Sequence, residues 1–309
     1  MLSRFLVILV FVPFLLWIFL KGNLMFLVFT LAIIGVSLHE FYKMLKDKGF
    51  EVANRIGMGL GLFLPIAIYF QQNSKNIFEY FKLDFFRQIN FDMGGFIVFA
   101  LMLLSLRQIF KVKIENAMSE ISYTIFGVIY VAYLFSYILL LKYEFPNGRV
   151  LVTMAFILIW TCDTTAYLVG KSIGGKLFKQ RLAPKISPNK SIEGAIAGVL
   201  GVFGVILIFD KLYLAIANFI CGFSLISKTC NAQTYYSIGL RPWEAFLLAL
   251  AIGVFAELGD LVESKIKREF EIKDSGNLLL GHGGFLDRFD SALFVLPIVY
   301  FFMKYVAYY

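Results

Sequence analysis

Hydrophobic blocks of bilayer-spanning length, each closed by a short polar or basic cluster, recur from one end of the chain to the other. The first runs from Phe5 to Leu20 and is closed by Lys21-Gly22-Asn23. Others cover 24–42, 56–71, 94–106, 123–141, 150–169, 192–209, 243–261 and 289–308. A helix needs ~20 apolar residues to cross a hydrocarbon core of ~30 Å. The pattern therefore predicts an all-α, polytopic integral membrane protein with about nine transmembrane helices. Arg4 followed by an apolar run also fits a signal peptide. No small-residue cleavage site follows, however, and the next block starts almost at once, so the first helix is expected to be retained. Residues 212–226 are apolar but short, and Lys211 and Lys228 bracket them. They are expected to form a re-entrant or interfacial segment and not a tenth span.

The polar positions between the blocks set an orientation. Lysine and arginine concentrate in alternate loops: Lys43, Lys46, Lys48 and Arg55; Arg107, Lys111 and Lys113; then 171–193 and 262–288. With the N-terminus in the cytoplasm, the basic residues divide about two to one in favour of the cytoplasmic side, as positive-inside topology requires. Both long basic loops then share that face, and a tenth span would separate them. Composition agrees with a membrane chain: 309 residues are 60% hydrophobic and 16% charged, against ~45–50% apolar in soluble domains. The net charge of +8 sits largely in these loops, where anionic headgroups alone would account for it. Cys162, Cys221 and Cys230 have neither metal-ligand spacing nor a disulfide framework. Nothing points to nucleic acid. The chain is expected to divide into membrane helices over 1–149, with lipid-facing aromatics such as Phe26 and Phe301, and a catalytic membrane region over 150–309.

Two polar stretches carry the candidate chemistry. In the second, Glu257, Asp260 and Ser264 fall on one face at the end of a span, and Asp287 and Asp290 are one turn apart at the start of the last. Ionisable groups at membrane depth are costly and default to function. Between them lies the turn Gly281-His282-Gly283-Gly284, whose amides would suit phosphate oxygens. Carboxylates alone would repel a phosphate. Mixed with lysine and arginine, they suggest a divalent cation and an anionic substrate, and Mg²⁺ suits one or two carboxylates plus substrate phosphates. In the first stretch, Asp163 ends an apolar span, and Ser187-Pro188-Asn189-Lys190-Ser191-Ile192-Glu193-Gly194 reads as a loop entering a helix, with Asn189 or Ser191 as cap. Lys185 and Lys190 suit a polyphosphate. His39-Glu40, at the end of the second block, is expected to be an interfacial pair.

The run from Ser264 to Asp290 resembles the signature of the phosphatidate cytidylyltransferases, or CDP-diacylglycerol synthases. That signature is Ser-x-apolar-Lys-Arg, four residues, Lys-Asp-x-small, then His-Gly-Gly-apolar-x-Asp-Arg-apolar-Asp. Ser264, Lys267, Arg268, Lys273, Asp274, Gly276, His282, Gly283, Gly284, Asp287, Arg288 and Asp290 meet it. Leu280 departs from it, standing where the family usually has Pro or Gly. The likeness is strong over about 150–309.

The resemblance implies transfer of CMP from CTP to phosphatidate, giving CDP-diacylglycerol and pyrophosphate for phospholipid synthesis. It implies Mg²⁺, alone or with a second cation, held by Asp260, Asp287 and Asp290. Lys267, Arg268 and His282 join Asp287 and Asp290 as catalytic residues, with His282 a hydrogen-bond donor to phosphate. Substrate contacts fall to Asp163, Lys185, Ser187, Asn189, Lys190, Glu193, Ser264, Lys273, Asp274, Gly283, Gly284 and Arg288. The partners implied are CTP, phosphatidate and membrane lipid, with homodimerisation open. The location implied is a bacterial-type inner membrane, with the site facing the cytoplasm. A CTP-dependent enzyme acting on an isoprenoid or ether lipid is the nearest rival. A cation transporter would instead place charges near the midplane of symmetric halves.

Overall fold

The computed structural model describes residues 13–20, 23–73, 91–111, 115–221, 238–276 and 283–307. Nine helical segments appear in it, one for each predicted block: α1 (13–20), α2 (Leu24–Asp47), α3 (Asn54–Gln72), α4 (Met93–Ile109), α5 (Ala117–Tyr143), α6 (Gly148–Ile173), α7 (Ile192–Cys221), α8 (Pro242–Glu269) and α9 (Leu286–Phe302). A π-helical turn, Val128–Tyr133, lies within α5, and another, Met303–Ala307, prolongs α9. Pairing every backbone amide inside its own segment is what makes a helix tolerable in lipid.

Among the described residues six helices are long and apolar enough to cross a membrane: α2, α5, α6, α7 as far as Ala215, α8, and α9 with its π turn. The apolar α4 has only 17 residues. The hydrophobic pattern predicts nine crossings, and length with hydropathy supports six among the described residues. The class is secure: this is an all-α, multi-pass membrane protein.

Two local expectations change. Residues 212–221 do not start a separate segment, because α7 runs unbroken from Ile192 to Cys221 through Asp210-Lys211. At 1.5 Å per residue its 30 residues reach ~45 Å, past the hydrocarbon and into the headgroups; 222–226 lie outside the described residues. The stretch expected to be a plain loop before α7 contains a hairpin, β1 (Arg181–Ala183) antiparallel to β2 (Ser187–Ser191), with Arg181 opposite Ser191 and Ala183 opposite Ser187. The hairpin delivers Ser191 to the helix entrance. There its hydroxyl accepts the Gly194 amide at 3.1 Å, which settles the cap on Ser191.

α6 packs most extensively on α7, and α8 packs on both α7 and α9. The other body of the fold is α2, α3 and α5, and α9 rests on α5. Helices in lipid associate through close packing, not through apolar burial from water. Gly259 shows how close: a β-carbon there would lie 2.7 Å from the Asp290 carbonyl oxygen. The absence of a side chain at 259 thus brings the start of α9 against α8. Phe26, expected to face lipid, is fully buried beneath the Lys142 ammonium, 3.5 Å from its ring centre, while Phe301 is exposed as expected.

Candidate functional site

A cavity of about 610 Å³ opens between α6, the hairpin, α7, α8 and α9. α6 contributes Asp163, Tyr167, Gly170 and Lys171 from its last turns. The hairpin and the entrance of α7 contribute Arg181, Asn189, Lys190, Ser191 and Gly194. α8 supplies Glu257, Asp260 and Lys267, and α9 supplies Asp287, Asp290 and Ser291. Segments more than a hundred residues apart in sequence therefore meet at helix ends, where polar groups cost least in a membrane protein.

Each charge has a definite setting. Lys190 reaches from the hairpin to α8, 2.6 Å from Glu257 Oε2 and 2.8 Å from Asp260 Oδ2. Burial pulls its ammonium pKa down, but these two carboxylates outweigh burial and hold it above the ordinary lysine value. The Ser264 hydroxyl donates to the other oxygen of Asp260 at 3.1 Å. Lys267 bridges the buried Glu263, at 2.7 Å, and Asp287 Oδ1, at 2.6 Å. Asp287 Oδ2 accepts the amides of Ser275 at 2.9 Å and Gly284 at 2.7 Å. Asp290 Oδ1 accepts the Ser291 amide at 2.6 Å. Among the described residues no ion pair reaches Asp163 or Asp290.

Of the residues singled out from sequence, Asp163, Asn189, Lys190, Asp260, Lys267, Asp287 and Asp290 line the cavity together. Others lie apart from it. Lys185 is exposed in the hairpin turn, and Arg268, Lys273, Asp274 and Arg288 are exposed. Ser187 starts β2, outside the lining. Glu193 is buried, its Oε1 accepting the amides of Gly175, Leu177 and Phe178 at 2.9–3.0 Å, so it pins the turn ahead of the hairpin. Gly283 adopts φ +79°, a conformation glycine tolerates best. The amide of Gly284 is engaged by Asp287, and those of Phe285 and Leu286 by Glu40, at 3.1 and 3.0 Å. His282 lies outside the described residues.

Lys171 and Arg181 line the cavity although sequence reasoning gave them no role, and so does Glu257, which the sequence placed on the Asp260 face without assigning it a contact. Glu257 sits one helical turn before Asp260, and that spacing was the available signal. Glu40 departs from the expected interfacial pair. His39 is exposed, whereas Glu40 is 3% exposed and packed against the signature turn.

The donor set can be tested against Mg²⁺. The cavity is lined by five carboxylates and four basic side chains, so a nucleotide polyanion entering alone would meet net repulsion. Hard oxygen donors in excess suit a divalent ion that keeps waters and substrate phosphates in its shell. Among the described residues no three acidic, histidine or cysteine side chains converge as a ready-made cage. Asp290 accepts through one oxygen only, whereas both oxygens of Asp260 are engaged, one by Lys190 and the other by the Ser264 hydroxyl. Asp287, held by an ammonium and two amides, is the least free of the three.

Comparison with known proteins shows what the chain is similar to. Phosphatidate cytidylyltransferase of Bacillus subtilis (strain 168) is 33% identical over 287 residues, covering 93% of this chain and 91% of the relative. The protein of that name from Staphylococcus aureus (strain COL) is 31% identical over 298 residues, covering 96% and 95%. The one from Staphylococcus epidermidis is 30% identical over 300 residues, with the same coverage. A family model described as the cytidylyltransferase family matches residues 2–306. The chain belongs to the cytidylyltransferase family.

Proposed function

We propose that this protein is a phosphatidate cytidylyltransferase, joining CTP to phosphatidate at the cytoplasmic face of a bacterial plasma membrane to give CDP-diacylglycerol and pyrophosphate. The observation that carries the reading is the meeting of Lys190, Lys267, Asp163, Asp260 and Asp290 in one cavity at helix ends, in a chain of this family. A lipid phosphate held at the headgroup level and a nucleotide from water would both reach such a site.

The chemistry makes modest demands on side chains. A phosphatidate oxygen, already ionised at neutral pH, bonds to the α-phosphorus of CTP. The bond from that phosphorus to the bridging oxygen breaks, and pyrophosphate leaves. No strong base is required; the barrier is repulsion between two polyanions and charge building on the leaving group. Lys190 and Lys267 present fixed positive charge where it is needed, and the exposed Lys171 and Arg181 add to it. The carboxylates paired with the two lysines fix their direction, so little reorganisation is needed on reaction. Asp260 and Asp290, with Asp163 beside them and Asp287 through its oxygen facing Lys267, are the residues that would hold Mg²⁺. When bound, the ion supplies charge neutralisation on the triphosphate. Glycines 283 and 284 serve this site through tight packing, and Gly284 has no amide to spare for phosphate.

Detergent-purified protein with radiolabelled CTP and phosphatidate in mixed micelles tests the reading. The expected product is CDP-lipid with release of pyrophosphate, abolished by a chelator and restored by excess Mg²⁺. Release of CDP instead, or a product only with ether-linked or isoprenoid acceptors, would refute it.

A further inference from the structure

Glu40 lies in α2, in the half of the chain that carries none of the cavity-lining residues, yet its carboxylate is buried against the signature region. Its oxygens accept the amides of Phe285 at 3.1 Å and Leu286 at 3.0 Å, and the Ser275 hydroxyl at 3.3 Å. Phe285 and Leu286 open α9, where the first amides of a helix have no internal partner and favour a negative charge. No side chain of α9 itself caps this end. Glu40 caps it from another helix.

The contacts continue from Glu40 towards the cavity. Beside Glu40 lie Ser275 and Gly284, whose amides both donate to Asp287 Oδ2. The other oxygen of Asp287 holds Lys267 at 2.6 Å. The two signature glycines fit the same arrangement. A β-carbon at Gly284 would lie 2.6 Å from Glu40 Oε2, and one at Gly276 would run into the Glu40 carboxylate. The small residue after Lys273-Asp274 is thus small because a carboxylate from α2 occupies the space.

We propose that Glu40 is a positioning residue for the transfer, holding Ser275 and the start of α9 at Phe285 and Leu286 so that Asp287 and Lys267 meet the substrate phosphates in register. The proposal rests on the cytidylyltransferase reading and adds to it a residue far outside the signature.

The test is Glu40→Gln in the full-length protein, purified in detergent and compared with wild type by size exclusion, thermal unfolding and kinetics per folded molecule. Gln keeps the shape but loses the charge and turns an NH₂ towards amide donors. Misplaced reacting groups lower turnover, so kcat is expected to fall at least about tenfold. The KM for CTP should rise while that for phosphatidate stays within about twofold, the split that separates mis-set phosphate contacts from lost lipid binding. A merely structural role predicts a lower unfolding temperature with kcat per folded molecule unchanged, and that result overturns the proposal. If Glu40→Gln cannot be recovered folded, Glu40→Asp decides, since it keeps the charge and withdraws the oxygens by one methylene. Reduced kcat in its folded fraction supports the proposal, and wild-type kcat overturns it. Wild-type protein that makes no CDP-lipid would instead refute the parent reading.

Discussion

Two aspartates one helical turn apart have unequal surroundings, and this makes them separable. Asp290 has one amide partner, while Asp287 has two amides and an ammonium. Asp290→Asn should remove a charge needed only when the nucleotide binds. Its CDP-lipid formation should fall by on the order of 10²–10³, with an unfolding temperature close to wild type. Asp287→Asn should lose activity and stability together, because Lys267 would be left against Glu263 alone and the signature turn would loosen. Parallel kinetics and thermal unfolding check the contrast, and equal stability losses in both variants would contradict it. The sequence made both aspartates legible through their spacing at a helix start. It could not rank them, since the difference lies in amides that only the folded turn presents. Glu40 was illegible for a stronger reason. Its partners lie 235–246 residues away, and no local period encodes such a pairing.

At the scale of elements, the helices were readable because lipid imposes a length and a composition on each. Polar loop structure obeys no such rule, so the hairpin was not. Glu193 shows the consequence. Its place in a motif-like run invites a substrate role, but its oxygen is spent on three amides of the preceding turn. Glu193→Ala should leave those three amides without their shared acceptor, and because their residues are exposed, water would replace it and the turn would lose its fixed shape. Limited proteolysis should then cut near 175–180 faster than in wild type, with turnover falling because Arg181 and Lys190 ride on the loosened hairpin. An unchanged cleavage rate would return Glu193 to the substrate. The contact of α8 with α9 makes a second demand. Gly259→Val would place methyl groups against the Asp290 backbone, and overpacking of this kind destabilises by roughly 1–3 kcal/mol. A lower unfolding temperature and a displaced Asp290, seen as lost activity, are the expected pair of results.

For the molecule as a whole, the proposed orientation of the cavity can be tested on a single helix. α6 has 26 residues, which at 1.5 Å each span ~39 Å and exceed a hydrocarbon core of ~30 Å. Its two ends therefore belong to opposite faces. Asp163, Gly170 and Lys171 lie towards its C-terminal end, in the cavity wall, with the basic hairpin beyond. Pro146 is exposed just before its N-terminal end. On the proposed reading, positive-inside bias puts the hairpin end in the cytoplasm, the compartment from which a nucleotide would arrive. Single cysteines can read this directly. With Cys162, Cys221 and Cys230 replaced, Gln180→Cys should react with a membrane-impermeant maleimide only in inside-out vesicles, and Pro146→Cys only in right-side-out cells. Reversal of both patterns would put the cavity on the outer face, away from nucleotide, and would refute the proposed reaction in cells. Labelling of both positions from one side would mean that α6 does not cross. The helix that places Asp163 beside Lys190 and Asp260 would then have to reach the membrane surface some other way, although its length and hydropathy suit a crossing.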